Sequence, residues 1–532
     1  MIHRQLARRC SLHARSPAAT QLHSSAATRQ QNGGGLLTRD FIAKSLYNQD
    51  TGYFSTKDVI NDLPGPLEFG SMMGELHYRL DVKKAYESKL SAWMTPVETF
   101  APHFSHALAR FIAKEVKKAS PGRKKGADGG SGSGSGGSGS GGHHDRAERL
   151  VLYEAGGGTG TNALNVLDWL RREEPKLYEG TEYTIVEISP RLAELQTERV
   201  CTVHENCRVV NANVLEWGMS GEVDPRPCFF LGMELLDNLP HDKIAWVAPS
   251  SQQPEADENR SDSEENKGEK KEKEQLCEAV VVKSPDGGFR EIFRPLRDPV
   301  IRELLTICPE LASMVRNRGP PSPEQAESES GSGSSLLASL FEKTKLLPSL
   351  FGASGVDALL PEHCAAFVPT GSLRLVQALR ERLPQHRAIL ADFDSFAGSS
   401  AGTEEAVGGP AAASDESLTA FQAPIVSSRD SDTGSVTDHA TYMVPLGTAD
   451  VFFPTCFERL ARLHAAVCHG GSSSGGGGGG VVRRRRGLVV KQGEFLREFA
   501  DLHATRTFSG FNPLVDDFRN SSVFLSGAVL GP

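Results

Sequence analysis

The sequence predicts an α/β fold in which a Rossmann-like parallel sheet carries helices on both faces. Short apolar runs alternate with segments of helical periodicity, which is the pattern of repeated strand–helix–strand units. A glycine-rich turn follows the first of these strands, at the place where open sheets approach a ligand. A helical N-terminal region precedes the sheet, and low-complexity tracts between the elements are expected to be disordered surface insertions.

The apolar runs place the strands and helices in chain order. A buried strand at 149–155 leads into a helix at 161–172, whose leucines and tryptophan recur at helical spacing. A second strand at 182–187 is followed by Ser189-Pro190, which supplies an N-cap and a first-turn proline for the next helix. The remaining predicted elements are strands at 208–211, 228–232 and 387–393, a strand pair at 278–283 and 288–294, and a helix at 374–383.

The composition limits what the 532 residues can fold into. Many of the 54 glycines lie in Ser/Gly tracts that cannot form a packed core, so we expect one large domain or two smaller ones. No apolar run approaches the roughly 18 residues that span a bilayer, which argues against an integral membrane protein. The net charge of −9 argues against a general nucleic-acid binder.

The N-terminal segment has the composition of a mitochondrial transit peptide. It is rich in arginine, serine and threonine, and no acidic residue precedes Asp40. We therefore expect residues 1–38 to direct the chain to the mitochondrial matrix; the alternative is a disordered tail that is not imported. The other predicted parts are an N-terminal helical region at 39–123 on the substrate side, a Gly/Ser-rich linker at 124–146, and the main domain at 147–532 with insertions at about 250–276, 318–336, 397–438 and 469–486.

The turn after the first strand has the form E-x-G-x-G-x-G. Glu154 lies near the end of the strand, and Gly156, Gly158 and Gly160 follow at alternate positions. A dinucleotide loop requires G-x-G-x-x-G, and its third glycine would stand where this chain has Thr161. Glu154 would repel a pyrophosphate but attract a ligand with an ammonium group. The turn therefore argues against a nicotinamide oxidoreductase.

The second strand ends in Glu187, whose carboxylate can accept both hydroxyls of a ribose. Together with Glu154 and the glycines, it describes a pocket for a nucleoside joined to an amino acid, which is S-adenosylmethionine. The alternative for the glycines is a structural turn. Asn213 follows the third strand, where its amide oxygen either contacts the adenine amine or caps a loop.

Further segments occur in a fixed order along the chain, namely Tyr47 to Phe54, Met94 to Glu98, Glu154 to Thr161, Ile185 to Ser189, Glu234 to Pro240, Ala391 to Phe393 and Gly447 to Asp450. They resemble the motifs of the MidA-like methyltransferases, a group that includes a mitochondrial complex I assembly factor described as a protein arginine methyltransferase. The resemblance covers roughly residues 37–247 and 365–530. It implies a class I methyltransferase sheet, S-adenosylmethionine as cofactor, a complex I subunit as protein substrate, and symmetric dimethylarginine as product.

An arginine acceptor would make specific demands on the site. It arrives protonated because its pKa exceeds about 12, so carboxylates must grip the guanidinium group and localise electron density on the attacking nitrogen. Glu234 and Asp237 follow the fourth strand, at the edge where open sheets place ligand chemistry. We expect Glu234 to orient the acceptor, Asp237 to support it or the cofactor, and Glu98 to contribute from the N-terminal region. The alternative for Asp237 is an N-cap of the following helix.

Two departures from the family pattern bear on activity. Met233 stands where the family often has asparagine, and His241-Asp242 stands where a valine and a basic residue usually follow the proline. These departures concentrate around the substrate side. A second hypothesis therefore stays open, in which the chain is a methyltransferase-fold assembly factor of weak or no activity that binds its client protein.

The cysteines and histidines predict no metal site. The nine cysteines are scattered, no C-x-x-C pair has zinc spacing, and Cys468-His469 is interpreted as a pair of packing residues. Free thiols in a reducing compartment fit this distribution. The sequence leaves the oligomeric state open.

Overall fold

The secondary structure alternates strands and helices along most of the chain. A computed structural model describes residues 35–57, 59–60, 65–88, 93–119, 149–220, 222–247, 274–317, 365–396, 423–469 and 487–527. The strands are β1 (Leu36–Leu37), β2 (Leu150–Ala155), β3 (Thr181–Glu187), β4 (Cys207–Asn211), β5 (Cys228–Met233), β6 (Asp242–Val247), β7 (Gln275–Lys283), β8 (Phe289–Pro295), β9 (Ala365–Val368), β10 (His386–Phe393), β11 (Ile425–Arg429), β12 (Val436–Asp438), β13 (Asp450–Phe452), β14 (Leu488–Lys491) and β15 (Ser521–Leu525). The helices are α1 (Thr38–Tyr47), α2 (Tyr53–Thr56), α3 (Glu75–Ser88), α4 (Pro96–Thr99), α5 (His103–Ala119), α6 (Thr161–Glu173), α7 (Pro175–Glu179), α8 (Pro190–Gln196), α9 (Val214–Ser220), α10 (Pro299–Ile307), α11 (Glu310–Asn317), α12 (Thr370–Arg382), α13 (Phe457–His469), α14 (Gln492–Phe499) and α15 (Pro513–Asp516).

The main sheet has seven strands in the order β14-β15-β10-β5-β2-β3-β4. The strands from β10 to β4 are mutually parallel. From β2 the chain first builds outward to β3 and β4, and then returns to place β5 and β10 on the other side. The strand order therefore reverses between β2 and β5, and open α/β sheets bind ligands at the carboxyl ends of the strands at such a point.

Helices cover both faces of this sheet, as predicted. Along β2, Leu150 and Leu152 belong to one buried cluster, whereas Val151 and Tyr153 belong to the other, because successive side chains of a strand point to opposite faces. The first cluster is shared with α5, α6 and α14, and the second with α9, α12 and α13. Both faces of β2 are thus buried.

A second sheet of five strands packs against α10, α11, α12 and α13. Strand β7 pairs antiparallel with β1, β6 and β8, and β6 also pairs antiparallel with β9. Helix α1 is anchored to this sheet by Arg39, whose guanidinium donates to Asp242 at 2.6 Å and bidentately to Asp298 at 2.8 and 2.6 Å. All three side chains are buried. The N-terminal region is therefore joined to the sheet through a buried ion-pair network.

The N-terminal region also packs against the last elements of the chain. Phe69, Tyr78 and Phe100 share a buried cluster with Phe495 of α14. The Tyr78 hydroxyl donates to Asp517 at 2.8 Å. Among the described residues, no helix is both long enough and apolar enough to cross a membrane.

Several sequence-based boundaries need correction. The main sheet is not wholly parallel, since β15 runs antiparallel to both β10 and β14. Leu36 and Leu37, assigned to the transit peptide, pair with β7, so the folded unit begins before residue 38. The insertions predicted at 250–276 and 397–438 extend too far, because β7 begins at Gln275 and because β11 and β12 form a hairpin. The rest of those two insertions, most of the transit peptide, the linker and the other insertions lie largely outside the described residues.

Candidate active site

The glycine-rich turn forms a sharp loop between β2 and α6. Gly156, Gly158 and Gly160 have φ angles of +67°, +56° and +86°, a region that residues with a side chain rarely adopt. A Cβ atom on Gly157 would lie 2.8 Å from Ile185 Cγ2, and one on Gly160 would lie 2.8 Å from a methyl group of Val200. The loop therefore depends on glycine both for its backbone shape and for its close packing.

Glu154 lies beneath this loop and is 2% exposed. Its carboxylate accepts hydrogen bonds from Asn162 Nδ2 at 2.8 Å and from the Tyr183 hydroxyl at 2.9 Å. Burial raises its pKa above the ordinary glutamate value. These hydrogen bonds link the loop to α6 and β3. Each oxygen keeps a further lone pair, so the expected attraction of an ammonium group stays a prediction.

Glu187 ends β3 beside the glycine loop. Its Oε1 accepts from the Ser189 backbone N–H at 2.9 Å, and its Oε2 accepts from Gln196 Nε2 at 3.0 Å. Gln196 also donates to the Gly158 carbonyl at 2.8 Å, so one amide connects the acidic residue to the loop. Burial raises the pKa of Glu187 to about 7. Each oxygen retains a further lone pair, so the carboxylate can still accept hydrogen bonds from hydroxyl groups of a ligand.

Asn213 adopts the capping arrangement that was one of its two alternatives. Its Oδ1 accepts from the Leu215 backbone N–H at 3.0 Å, and its carbonyl accepts from the Glu216 N–H at 3.0 Å. Both bonds stabilise the first turn of α9. The amide oxygen keeps a second lone pair, so its expected contact with an adenine amine stays a prediction.

Glu234 follows β5 in a conformation that is unusual for its residue type. Its φ angle is +49°, and it is the non-glycine residue with positive φ in the described part of the chain. Its backbone N–H donates to the Ala391 carbonyl at 2.9 Å, which holds this geometry in place. Strained backbone of this kind clusters at functional sites, because the surrounding structure must offset its cost.

The carboxylate of Glu234 lies among other acidic side chains. Its Oε1 is buried and has no hydrogen-bond partner among the described residues. Burial raises its pKa well above the ordinary glutamate value, and the negative charges of Asp237, Asp392 and Glu98 raise it further.

Asp237 and Asp392 are two of the buried carboxylates around Glu234. Asp392 is the next-to-last residue of β10, and its Oδ2 accepts the backbone N–H groups of Leu236 at 2.7 Å and Asp237 at 3.2 Å. It therefore shapes the loop that carries Glu234. Burial raises the pKa of Asp237 to about 7, and its Oδ1 has no partner among the described residues. No α-helix begins at Asp237, so the N-cap alternative is wrong.

Glu98 reaches the glycine loop from α4. Its two oxygens accept the hydroxyls of Thr159 at 2.7 Å and Thr161 at 2.9 Å. Thr161 stands where a dinucleotide-binding loop has its third glycine. Its hydroxyl, which a glycine would lack, donates to Glu98. Glu98 thus joins the N-terminal region to the loop and acts on the site through Thr159 and Thr161.

Asp450 and Tyr47 complete the site, although neither was a candidate site residue. Asp450 Oδ1 accepts from Asn238 Nδ2 at 2.8 Å, and the Tyr47 hydroxyl donates to the Asn238 carbonyl at 2.8 Å. Burial, and secondarily the charge of Asp237, raise the pKa of Asp450 to about 8. Both residues lie in segments that carry the family resemblance, and this resemblance was the signal in the sequence that could have identified them as site residues.

The site suits a ligand that brings hydrogen-bond donors and positive charge. Gln196 Oε1, Glu234 Oε1 and Asp237 Oδ1 are buried acceptors without a partner in the described residues. No lysine or arginine of the described residues pairs with Glu234 or Asp237 in an ion pair. S-adenosylmethionine offers ribose hydroxyls, amines and a sulfonium charge, so these residues fit that cofactor.

The departures from the family pattern have structural explanations. Met233 is 8% exposed and packs in the cluster beneath the sheet. The His241 ring stacks on Phe453 with centroids 3.9 Å apart, and its Nδ1 donates to the Leu239 carbonyl at 2.8 Å. Asp242 pairs with Arg39, as described above. His241 and Asp242 therefore serve packing and anchoring in this chain.

Comparison with solved structures gives two proteins of low sequence identity to this chain. No curated protein matches the chain significantly. A protein from Burkholderia thailandensis bound to S-adenosyl-homocysteine is 14% identical, with 94% of this chain and 90% of that chain covered and a TM-score of 0.47. The native structure of an uncharacterised protein from the same organism is 14% identical, with 94% and 89% covered and a TM-score of 0.44. At these scores the two structures identify neither a fold nor a substrate.

A family model settles the class of the protein. The model described as "Putative S-adenosyl-L-methionine-dependent methyltransferase" matches residues 142–471, which is more than half of the chain. The match contains the glycine loop, Glu187, the Glu234–Asp237 segment and Asp450. The chain therefore belongs to this family of methyltransferases, and its cofactor is S-adenosylmethionine.

Proposed function

We propose that this methyltransferase modifies arginine side chains of a protein, forms symmetric dimethylarginine, and acts in the mitochondrial matrix on a subunit of respiratory complex I during assembly. The observation that supports an arginine acceptor is the group of buried carboxylates beside the glycine loop. Glu234 and Asp237 each keep one buried oxygen without a partner in the described residues. A protonated guanidinium group would supply both the missing donors and the missing positive charge.

The cofactor would be held by the loop and by Glu187. The backbone of Gly156 to Gly160 would lie against it, and Glu187 would accept the ribose hydroxyls. Glu154, Asn213 and Glu98 would hold the surrounding elements in place. When bound, the cofactor supplies an electrophilic methyl group on a sulfonium sulfur.

Glu234 would orient the acceptor and take up its proton. The acceptor nitrogen must lose a proton as it gains the methyl group, and a general base works best when its pKa lies near the working pH. Burial and neighbouring charges raise the pKa of Glu234 in that direction. Asp237 would hold a second guanidinium N–H, which fixes the attacking nitrogen in line. Both are therefore proposed catalytic residues, whereas Glu98 is a positioning residue.

The cellular assignment has separate support. The arginine-rich composition before Asp40 favours import into mitochondria. The resemblance to the MidA-like group supports complex I as the client. The structural roles of His241 and Asp242 remove part of the reason to expect an inactive protein.

The proposal can be tested with the full-length chain. The protein is incubated with methyl-labelled S-adenosylmethionine and purified complex I subunits, and mass spectrometry distinguishes symmetric from asymmetric dimethylarginine. Glu234→Gln is the control, because it preserves the size of the side chain. We expect the variant to lose at least about 100-fold in turnover while its cofactor affinity changes less than about twofold.

Three outcomes would contradict parts of the proposal. Unchanged turnover of Glu234→Gln would remove Glu234 from catalysis. Label on lysine or on a small molecule would exclude arginine as the acceptor. Cofactor binding without transfer to any subunit would favour the alternative of an assembly factor that binds its client.

A further inference from the structure

A cluster of potential metal ligands lies at the opposite end of the sheet from the active site. His386 begins β10, whereas Asp392 near the other end of β10 belongs to the active site. The two residues are six positions apart along the strand, which corresponds to about 20 Å. His464 and Cys468 lie one turn apart on α13, which packs on the face of the sheet behind β10.

The three side chains point to a common position. The Nε2 atoms of His386 and His464 are 3.0 Å apart. One ring nitrogen from each histidine and the Cys468 sulfur all lie within 4.8 Å of one another. Tetrahedral zinc with bonds of 2.0–2.1 Å to nitrogen and 2.3 Å to sulfur needs separations of about 3.3 Å between nitrogens and about 3.6 Å between nitrogen and sulfur. The ligands would therefore move by only about 1 Å to surround an ion.

The surroundings orient these ligands. His386 Nδ1 lies 2.7 Å from the Leu383 carbonyl, and because a carbonyl only accepts, Nδ1 must carry the proton. Neutral His386 then presents a lone pair at Nε2, which is the arrangement that outer partners impose on metal-binding histidines. His464 is 4% exposed and packs edge-to-face on Phe524 with centroids 5.3 Å apart. Arg380 donates to the Cys468 carbonyl at 2.7 Å and so holds the last turn of α13.

We propose that His386, His464 and Cys468 form a structural binding site for Zn²⁺. Two imidazoles and a thiol suit this borderline-soft ion, and the fourth position falls to water or to His469, whose ring centroid lies 5.9 Å from that of His464. The ion would fasten the end of α13 to the start of β10. His386 is 78 residues from His464, so no local spacing in the sequence reveals this site.

The test uses the full-length chain after treatment with a chelator. Titration with Zn²⁺ should show one high-affinity equivalent and a higher Tm. Titration with Co²⁺ should produce a thiolate-to-cobalt charge-transfer band and the absorption of a tetrahedral site. Cys468→Ser should abolish the charge-transfer band and weaken Zn²⁺ binding at least about tenfold. Cys456→Ser is the matched control, because this cysteine lies immediately before the same helix, outside the cluster, and its loss should change neither readout.

Folding of the variants must be checked independently. Cys468 is half-buried, so the serine variant should retain the wild-type Tm without metal and the wild-type affinity for S-adenosylmethionine. His386→Gln provides a second variant with the same expectation of weakened binding. Absence of a bound equivalent would overturn the proposal, and the two Nε2 atoms would then simply share a proton. Binding that survives Cys468→Ser and His386→Gln, or that depends equally on Cys456, would overturn it as well.

Discussion

Acidic pH should weaken the binding of S-adenosylmethionine through Glu187. The proposed role of this residue is to accept two ribose hydroxyls, and only the ionised carboxylate can accept both. Burial raises its pKa to about 7, even though Ser189 and Gln196 donate to it. Part of the free protein is therefore protonated at Glu187 at neutral pH.

The size of the effect follows from this pKa. If the cofactor binds only the ionised form, the apparent Kd increases by a factor of one plus the ratio of protonated to ionised Glu187. With a pKa of about 7, the factor is about 11 at pH 6, about 2 at pH 7 and about 1.1 at pH 8. The sign is that of an acid: affinity is lost as the pH falls through the pKa of the free protein. We expect roughly a tenfold weaker Kd at pH 6 than at pH 8.

The assay is calorimetric titration at pH 6, 7 and 8 with constant ionic strength. Glu187→Gln serves as the control, since it keeps one acceptor oxygen but cannot titrate. This variant should bind more weakly at pH 8, and its Kd should vary less than about twofold over the range. A wild-type Kd that is constant, or that improves at pH 6, would refute the argument. An equal slope in Glu187→Gln would assign the effect to Asp237 or Asp450 instead.

Three further substitutions, one of them with a control variant, test the fold of the chain. Arg39→Met should lower the free energy of unfolding in urea by about 3–5 kcal/mol, because two buried aspartates lose their cation; a loss below about 1 kcal/mol would contradict this. Gly447→Ala should lower the same free energy by at least about 3 kcal/mol, since its Cβ would lie 1.7 Å from the Thr51 carbonyl oxygen. Its control is Gly287→Ala, which also has a positive φ but open space around the Cβ and should cost about 1 kcal/mol in the same urea titration. Asp450, whose pKa is raised to about 8, stabilises the protein at low pH and loses that contribution as the pH rises towards 8. Asp450→Asn should therefore make the decline of unfolding free energy between pH 5 and 8 shallower, by at most about 1.4 kcal/mol per pH unit, and an unchanged slope would count against the shift.

The elements that sequence alone could predict are those with local signals. The first strand, the glycine loop and the helix after it lie within a few residues of their predicted positions, because hydrophobic runs and glycine act over short distances. Glu187 and Glu234 were predicted as site residues for the same reason, since one ends a buried strand and the other follows one. The carboxyl ends of parallel strands meet at one edge, so their position at the same edge of the sheet followed from the fold class.

The features that escaped prediction depend on distant contacts. Whether Glu98 touches a substrate or a threonine hydroxyl depends on how α4 docks against the loop, and no local pattern records this. Asp242 departs from the family pattern on the substrate side and so suggested reduced activity. In the structure it pairs with Arg39, and because these residues are 203 positions apart, no local pattern could show the pairing. The second sheet was hidden in the same way, because β1, β6 and β9 are short and separated by long stretches of chain.

The packing of the N-terminal region against the end of the chain has a consequence for synthesis. Tyr78 bonds to Asp517, which is 439 residues later. At a translation rate of 5–20 residues per second, the ribosome needs roughly 20–90 s to make that partner. For most of this interval the part of α5 that finally packs against α14 stays uncovered, because α14 has not yet been made. The newly made chain is therefore expected to depend on a chaperone that holds its first helices until its last strand has left the ribosome.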